Sequence, residues 1–138
     1  MAKPLERILL VEDEADIRTI ATMALEKVGG FEVIACASGA EALEAAPGAN
    51  ADLILLDVMM PGMDGPSTLQ ALRRIPATCA TPVVFITAKV QPEEVRQYRA
   101  LGALDVISKP FAAMELSEDL LAIWNRACAR AGTDTQPT

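Results

Sequence analysis

Leu53-Ile54-Leu55-Leu56 runs directly into Asp57, and the reading of that junction decides the fold. Four apolar residues in a row, without alternation, suit a strand buried on both faces of a parallel sheet. The same grammar recurs along the chain. Ile8-Leu9-Leu10-Val11 is followed by Glu12-Asp13, Val83-Val84-Phe85-Ile86 by Thr87, and the weaker Val106-Ile107 by Ser108-Lys109. Phe31-Glu32-Val33-Ile34-Ala35 is a fifth candidate strand, second in chain order.

Helical patterns fill the intervals. Ala15 to Val28 carries Ile17, Ile20, Ala21, Ala24, Leu25 and Val28 at helical spacing, and Gly29-Gly30 stops it. Ser38 and Glu41 form a capping-box signature for a helix over Ala40 to Ala46. A third helix is expected over Ser67 to Ile75, before Pro76, with Pro61-Gly62 and Asp64-Gly65 as turns ahead of it. Pro92 opens a fourth that ends at Gly102. The fifth spans about Ala113 to Ala131, with Leu116, Leu120, Ile123, Trp124 and Ala127 on one face. The resulting βα unit, repeated five times, predicts an α/β fold: a doubly wound, five-stranded parallel sheet with five helices. The domain is expected over residues 1–131, with 132–138 as a disordered, polar tail.

The residues that follow the strands carry the chemistry. In a parallel sheet every strand C-terminus lies along one edge, where ligands of open α/β folds bind. Spacing alone therefore gathers Glu12, Asp13 and Asp57, the Thr87 hydroxyl and the Lys109 ammonium on one rim. Any one of these groups alone reads as an ordinary loop charge or turn residue, as Asp16 and Asp52 do; their shared rim does not. Three neighbouring carboxylates resist ionisation together, and a divalent cation resolves that conflict. Carboxylate, carbonyl and water ligands suit Mg²⁺ or Mn²⁺. A carboxylate nucleophile, a cation, a lysine and a hydroxyl make a charge-compensated site for phosphoryl transfer.

Composition narrows the function classes. The chain has 138 residues, 51% apolar and 22% charged, with a net charge of −7, which suits one globular domain. It contains no histidine, so it carries no Ser-His-Asp triad, no histidine metal ligand and no phosphohistidine. The acidic balance argues against a nonspecific grip on nucleic acid and against an anionic membrane surface. Cys36, Cys79 and Cys128 are widely spaced and form no CxxC, so reduced thiols in the cytoplasm are expected. Neither a secretory signal nor a membrane-length apolar run is present in the sequence.

Four blocks resemble the receiver domain of bacterial response regulators: Leu9 to Glu14, Leu55 to Gly65, Ile86-Thr87-Ala88-Lys89, and Ser108-Lys109-Pro110-Phe111. The resemblance covers about Arg7 to Arg130. It implies a flavodoxin-like fold with strand order 2-1-3-4-5, in two-component phosphorelay signalling rather than enzymatic turnover. It implies that Asp57 accepts a phosphoryl group from a phosphohistidine on a sensor histidine kinase or histidine phosphotransfer protein. Asp13 would hold Mg²⁺ directly, Glu12 through water, and the Met59 carbonyl would be a further ligand. Lys109 would pair with Asp57 at rest and with the phosphoryl oxygens afterwards, Thr87 would swing toward the phosphoryl group, and Lys109-Pro110 would be cis.

One departure stands out. The family's last strand usually carries Tyr or Phe three residues before the lysine; here that position is Val106. Tyr98 is not at that site and reads as a packing or surface residue. Met59 and Lys89, two residues after Asp57 and Thr87, lie where attacking water would approach and are candidates for setting the lifetime of the phosphoryl group.

Other classes fit less well. A haloacid-dehalogenase phosphatase needs a second Asp where Met59 stands. A flavodoxin needs a phosphate-cradling loop where Glu12-Asp13-Glu14 stands. A helix-turn-helix DNA-binding unit finds no room in these residues, so signalling through protein contacts without an output domain is expected. A non-phosphorylated scaffold, a fragment of a larger regulator or hybrid kinase, and a homodimer through the fourth and fifth helices stay open.

Overall fold

The five apolar runs pair side by side in the computed structural model, which describes residues 3–135 and the side chains of residues 3–130. Strands β1 (Arg7–Val11), β2 (Glu32–Cys36), β3 (Leu53–Asp57), β4 (Val83–Thr87) and β5 (Asp105–Ser108) form one parallel sheet in the order β2-β1-β3-β4-β5. Every residue of β3 and β4 is buried, as expected for central strands covered on both faces. Register sets the rim. Val11 lies opposite Leu56, Asp57 opposite Ile86, and Thr87 opposite Ser108, so the chemically active residues leave the sheet at nearly one level.

Side-chain alternation splits the core in two. Ile8, Leu10, Leu53, Leu55, Val84, Ile86 and Ile107 pack with Leu25 and with Leu116, Leu120, Ile123 and Trp124 of the last helix. Leu9, Val11, Ile54, Leu56, Val83 and Phe85 pack on the other face with Ala42, Ala46, Leu69 and Leu72. The helices are α1 (Ala15–Met23), α2 (Gly39–Ala49), α3 (Gly65–Leu72), α4 (Pro92–Ala100) and α5 (Ala113–Thr135). The expected fold class, strand order and element types hold; the differences lie at helix ends.

Helix α1 continues as a π-helical turn over Ala24–Val28. The Gly29 N–H reaches back five residues to the Ala24 carbonyl, which also accepts from the Ser117 hydroxyl at 3.2 Å. Helix α2 passes through Pro47 to Ala49 instead of ending at Ala46, because Ala49 is buried and Asn50 closes the helix in the left-handed conformation (φ 52°). Helix α3 starts two residues earlier than expected. Asp64 is its N-cap, accepting from the Ser67 N–H at 2.8 Å. It ends at Leu72, beyond which Arg74 and Ile75 bond three residues back. Helix α5 runs to Thr135, past the expected end at Ala131. Gly132 only weakens a helix; the first residue that forbids one is Pro137. The expected tail is thus helical through Thr135, and residues 136–138 lie outside the described residues. Asp52 is buried rather than solvated. It pairs with Lys3 at 2.7 Å and accepts from the backbone N–H groups of Glu6 and Arg7.

Candidate phosphoacceptor and cation site

At the C-terminal edge of the sheet the five groups expected there converge. Glu12, Asp13 and Asp57 each present a carboxylate oxygen within 4.8 Å of the others. Glu12 and Asp57 are almost wholly buried, with side chains 1% and 2% exposed, and Lys109 is 15% exposed. Asp57 is buried because it is the last residue of the central strand β3. Glu12 follows β1 and is fixed by its own N–H donating to the Cys36 carbonyl at 3.0 Å.

The lysine divides its attention unequally. Lys109 Nζ lies 2.8 Å from Glu12 Oε1 and 3.3 Å from Asp57 Oδ2. At rest it pairs with Asp57, as expected, and more closely still with Glu12. Glutamate is one methylene longer than aspartate, which gives it the extra reach. Asp57 Oδ1 accepts from the Met59 N–H at 3.2 Å. Asp57 Oδ2 stands within ion-pair range of Lys109 but has no hydrogen bond, and Asp13 Oδ1 is likewise buried and unpartnered.

The electrostatics follow. Burial first, and then the Glu12 charge, push the Asp57 carboxyl up to about 7, although Lys109 opposes them. Burial weakens the Lys109 ammonium, but its hydrogen bond to Glu12 and the Asp57 charge outweigh that and hold it above the usual lysine value. One cation thus faces three acids. Two orphaned, buried carboxylate oxygens are what a hard, oxygen-seeking divalent cation would satisfy, so the residues present fit such an ion.

Thr87 is buried at the end of β4, and its hydroxyl accepts from the Lys89 N–H at 3.1 Å. Met59 sits in the loop after β3 with its side chain exposed. Lys109–Pro110 is cis. Two supporting residues were not legible in the sequence. Arg18 of α1 donates to the Glu12 carbonyl at 2.9 Å and the Asp13 carbonyl at 3.4 Å, and so holds the acidic loop. A basic residue in the first turn after an acidic pair is its only sequence signal. Gly65 begins α3 against the end of β3; a Cβ there would lie 2.6 Å from the Asp57 carbonyl oxygen and 2.8 Å from Val58 Cα. Only glycine permits that approach, and its N–H bonds the Val58 carbonyl at 2.9 Å.

The doubly wound parallel sheet thus carries an acid trio, a hydroxyl and a lysine on its C-terminal rim. Residues 8–121 match the profile of the response regulator receiver domain, and the chain belongs to that family. The chain is 39% identical over 121 residues to the transcriptional regulatory protein ResD of Bacillus subtilis, covering 88% of this chain and 49% of that protein. It is 37% identical over 119 residues to the phosphate regulon transcriptional regulatory protein PhoB of Pseudomonas aeruginosa, covering 86% and 52%. The chain thus spans about half the length of these curated relatives. Among solved structures, chemotaxis protein CheY4 of Vibrio cholerae superimposes with a TM-score of 0.80 at 32% identity, over 87% of this chain and 99% of that one. Among the described residues, no helix is long and apolar enough to cross a membrane.

Proposed function

We propose that this receiver domain accepts a phosphoryl group on Asp57 from a phosphohistidine of a sensor histidine kinase or histidine phosphotransfer protein. The observation that carries this reading is the buried Asp57 carboxylate, with one oxygen unpartnered, facing a lysine and two further acids. The absence of histidine makes the chain the acceptor half of the exchange. An Asp57 oxygen attacks phosphorus, a P–O bond forms, and the P–N bond of the donor breaks. Its electron pair leaves with the imidazole nitrogen, which takes up a proton as needed. No net oxidation occurs.

The chain's own groups then act in place. Lys109 turns its ammonium from Glu12 to a phosphoryl oxygen. Thr87 donates its hydroxyl to another. Arg18 keeps the acidic loop in position. Glu12, Asp13, Asp57 and the Met59 carbonyl would hold Mg²⁺, with Mn²⁺ suited to the same donors. That cation supplies charge neutralisation for the phosphoryl oxygens. The domain is a phosphoacceptor and not a turnover enzyme. Its output passes through protein–protein contacts, without contact to nucleic acid or membrane, and its compartment is the cytoplasm.

The test is incubation with Mg²⁺ and acetyl phosphate, followed by intact mass. The expected result is gain of one phosphoryl group, lost in Asp57→Asn and suppressed by chelation. No gain from acetyl phosphate or from a phosphorylated histidine phosphotransfer protein would refute the reading in favour of a non-phosphorylated scaffold.

A further inference from the structure

Arg18 stands where helix electrostatics alone would not put it. It lies in the first turn of α1, and a cation there faces the positive end of the helix dipole. Asp13, Glu14 and Asp16 stand within five residues of it. Among the described residues its guanidinium nevertheless pairs with no carboxylate. Its Nη1 donates instead to two backbone carbonyls, Glu12 at 2.9 Å and Asp13 at 3.4 Å.

Those two carbonyls belong to the peptide planes on either side of the Asp13 Cα. Each peptide unit is rigid, so a donor that holds both planes fixes the direction in which the Asp13 side chain leaves the backbone. The neighbouring acids are fixed by other means. Asp57 is the last residue of β3 and is held by the sheet. Glu12 has both carboxylate oxygens engaged within the protein: Oε1 lies 2.8 Å from Lys109 Nζ, and Oε2 accepts from the Glu14 N–H at 3.1 Å. Asp13 Oδ1 is buried without a partner, in a loop beyond the end of β1. Among the three acids, Asp13 is the one whose aim rests on a side chain from another element.

We propose that Arg18 is a positioning residue that sets the affinity of the acidic site for Mg²⁺, by clamping the two peptide planes that aim Asp13. This rests on the cation reading above and names a residue outside the acids that governs it. The sign of the effect separates positioning from charge. Taking a positive charge away from a cation site strengthens cation binding by Coulomb's law. Taking away the clamp weakens it, because Asp13 must then be ordered at the moment of binding. Partners that orient metal ligands are typically worth about 10–100-fold in metal affinity, so the clamp outweighs the half-buried charge.

The test compares wild type with Arg18→Met, which keeps an unbranched side chain and good helix propensity but loses both charge and donors. Thermal unfolding followed by circular dichroism at graded Mg²⁺ gives the affinity by linkage and shows at the same time that each protein folds. The expected result is Mg²⁺ binding at least about 10-fold weaker in Arg18→Met, with the loss retained at high salt, where long-range charge is screened. Wild-type or tighter Mg²⁺ binding in Arg18→Met overturns the proposal. Should Arg18→Met show no cooperative unfolding, Arg18→Lys decides: it keeps the charge but not the guanidinium, so weaker Mg²⁺ binding supports the clamp and wild-type affinity overturns it. A wild-type Tm that does not respond to Mg²⁺ overturns instead the cation reading, and the proposal with it.

Discussion

Replacing Asp57 by Asn removes one charge from a crowded, buried trio without changing the side chain's shape. In the folded protein, burial and the Glu12 charge raise the Asp57 carboxyl from its ordinary value of 3.8 to about 7. Unfolded chain releases that proton near the ordinary value; folded chain keeps it to near neutrality. Between those limits the folded state binds more protons, so its stability falls as pH rises. At about 1.4 kcal/mol per pH unit, the whole window is worth about 4 kcal/mol as a ceiling. Lys109 keeps its shorter contact with Glu12 in the variant, so most of this gain survives the loss of Asp57. Metal-free Asp57→Asn is therefore expected to match the wild type near pH 4 and to exceed it by roughly 2–3 kcal/mol at about pH 8. For a chain of this length that corresponds to roughly 5–12 °C in Tm. Urea and thermal unfolding in EDTA, followed by circular dichroism across this range, measure the difference directly. Added Mg²⁺ should stabilise the wild type selectively and close the gap. Parallel stability–pH profiles for the two proteins would falsify the assigned electrostatics.

Three further outcomes follow from the same geometry. Asp13→Ala removes a like charge with an unpartnered oxygen and should stabilise the metal-free fold by about 1 kcal/mol, while abolishing the rise in Tm with Mg²⁺; a loss of stability in EDTA would reveal a structural partner for Asp13. Gly65→Ala drives a Cβ into the backbone at Asp57 and Val58 and should cost about 1–3 kcal/mol as well as slowing phosphorylation, read by chemical denaturation and by mass; wild-type stability would contradict the close approach. Met59→Asn exchanges an exposed apolar side chain for one that can orient water and should change the dephosphorylation rate, followed by mass after donor removal. An unchanged rate would remove Met59 from control of the phosphoryl lifetime.

Apolar runs at five points along the chain sufficed for the strand count, the parallel sheet and the placing of Glu12, Asp13, Asp57, Thr87 and Lys109 on one edge. Helix ends were less legible. Pro47 and Gly132 are local stop signals, but a helix continues when tertiary burial (as at Ala49) or simple lack of a forbidding residue (as before Pro137) allows it. Asp64 is ambiguous between turn and cap, since the same carboxylate chemistry serves both. Gly65 reads as turn glycine in one dimension; only the packed strand end beside it makes glycine necessary.

The sequence by itself determined which residue types reach the rim, because strand length and side-chain period are short-range properties of the chain. It also excluded histidine chemistry outright. Partner choice was decided only by the tertiary structure. That Lys109 sits closer to Glu12 than to Asp57 and that Tyr98 faces Phe85 depend on distances between residues on different elements of the fold, and that Arg18 grips the acidic loop depends on how α1 turns back on the end of β1. A single methylene or a helix's tilt settles such distances, and neither leaves a mark in the spacing of residues along the chain.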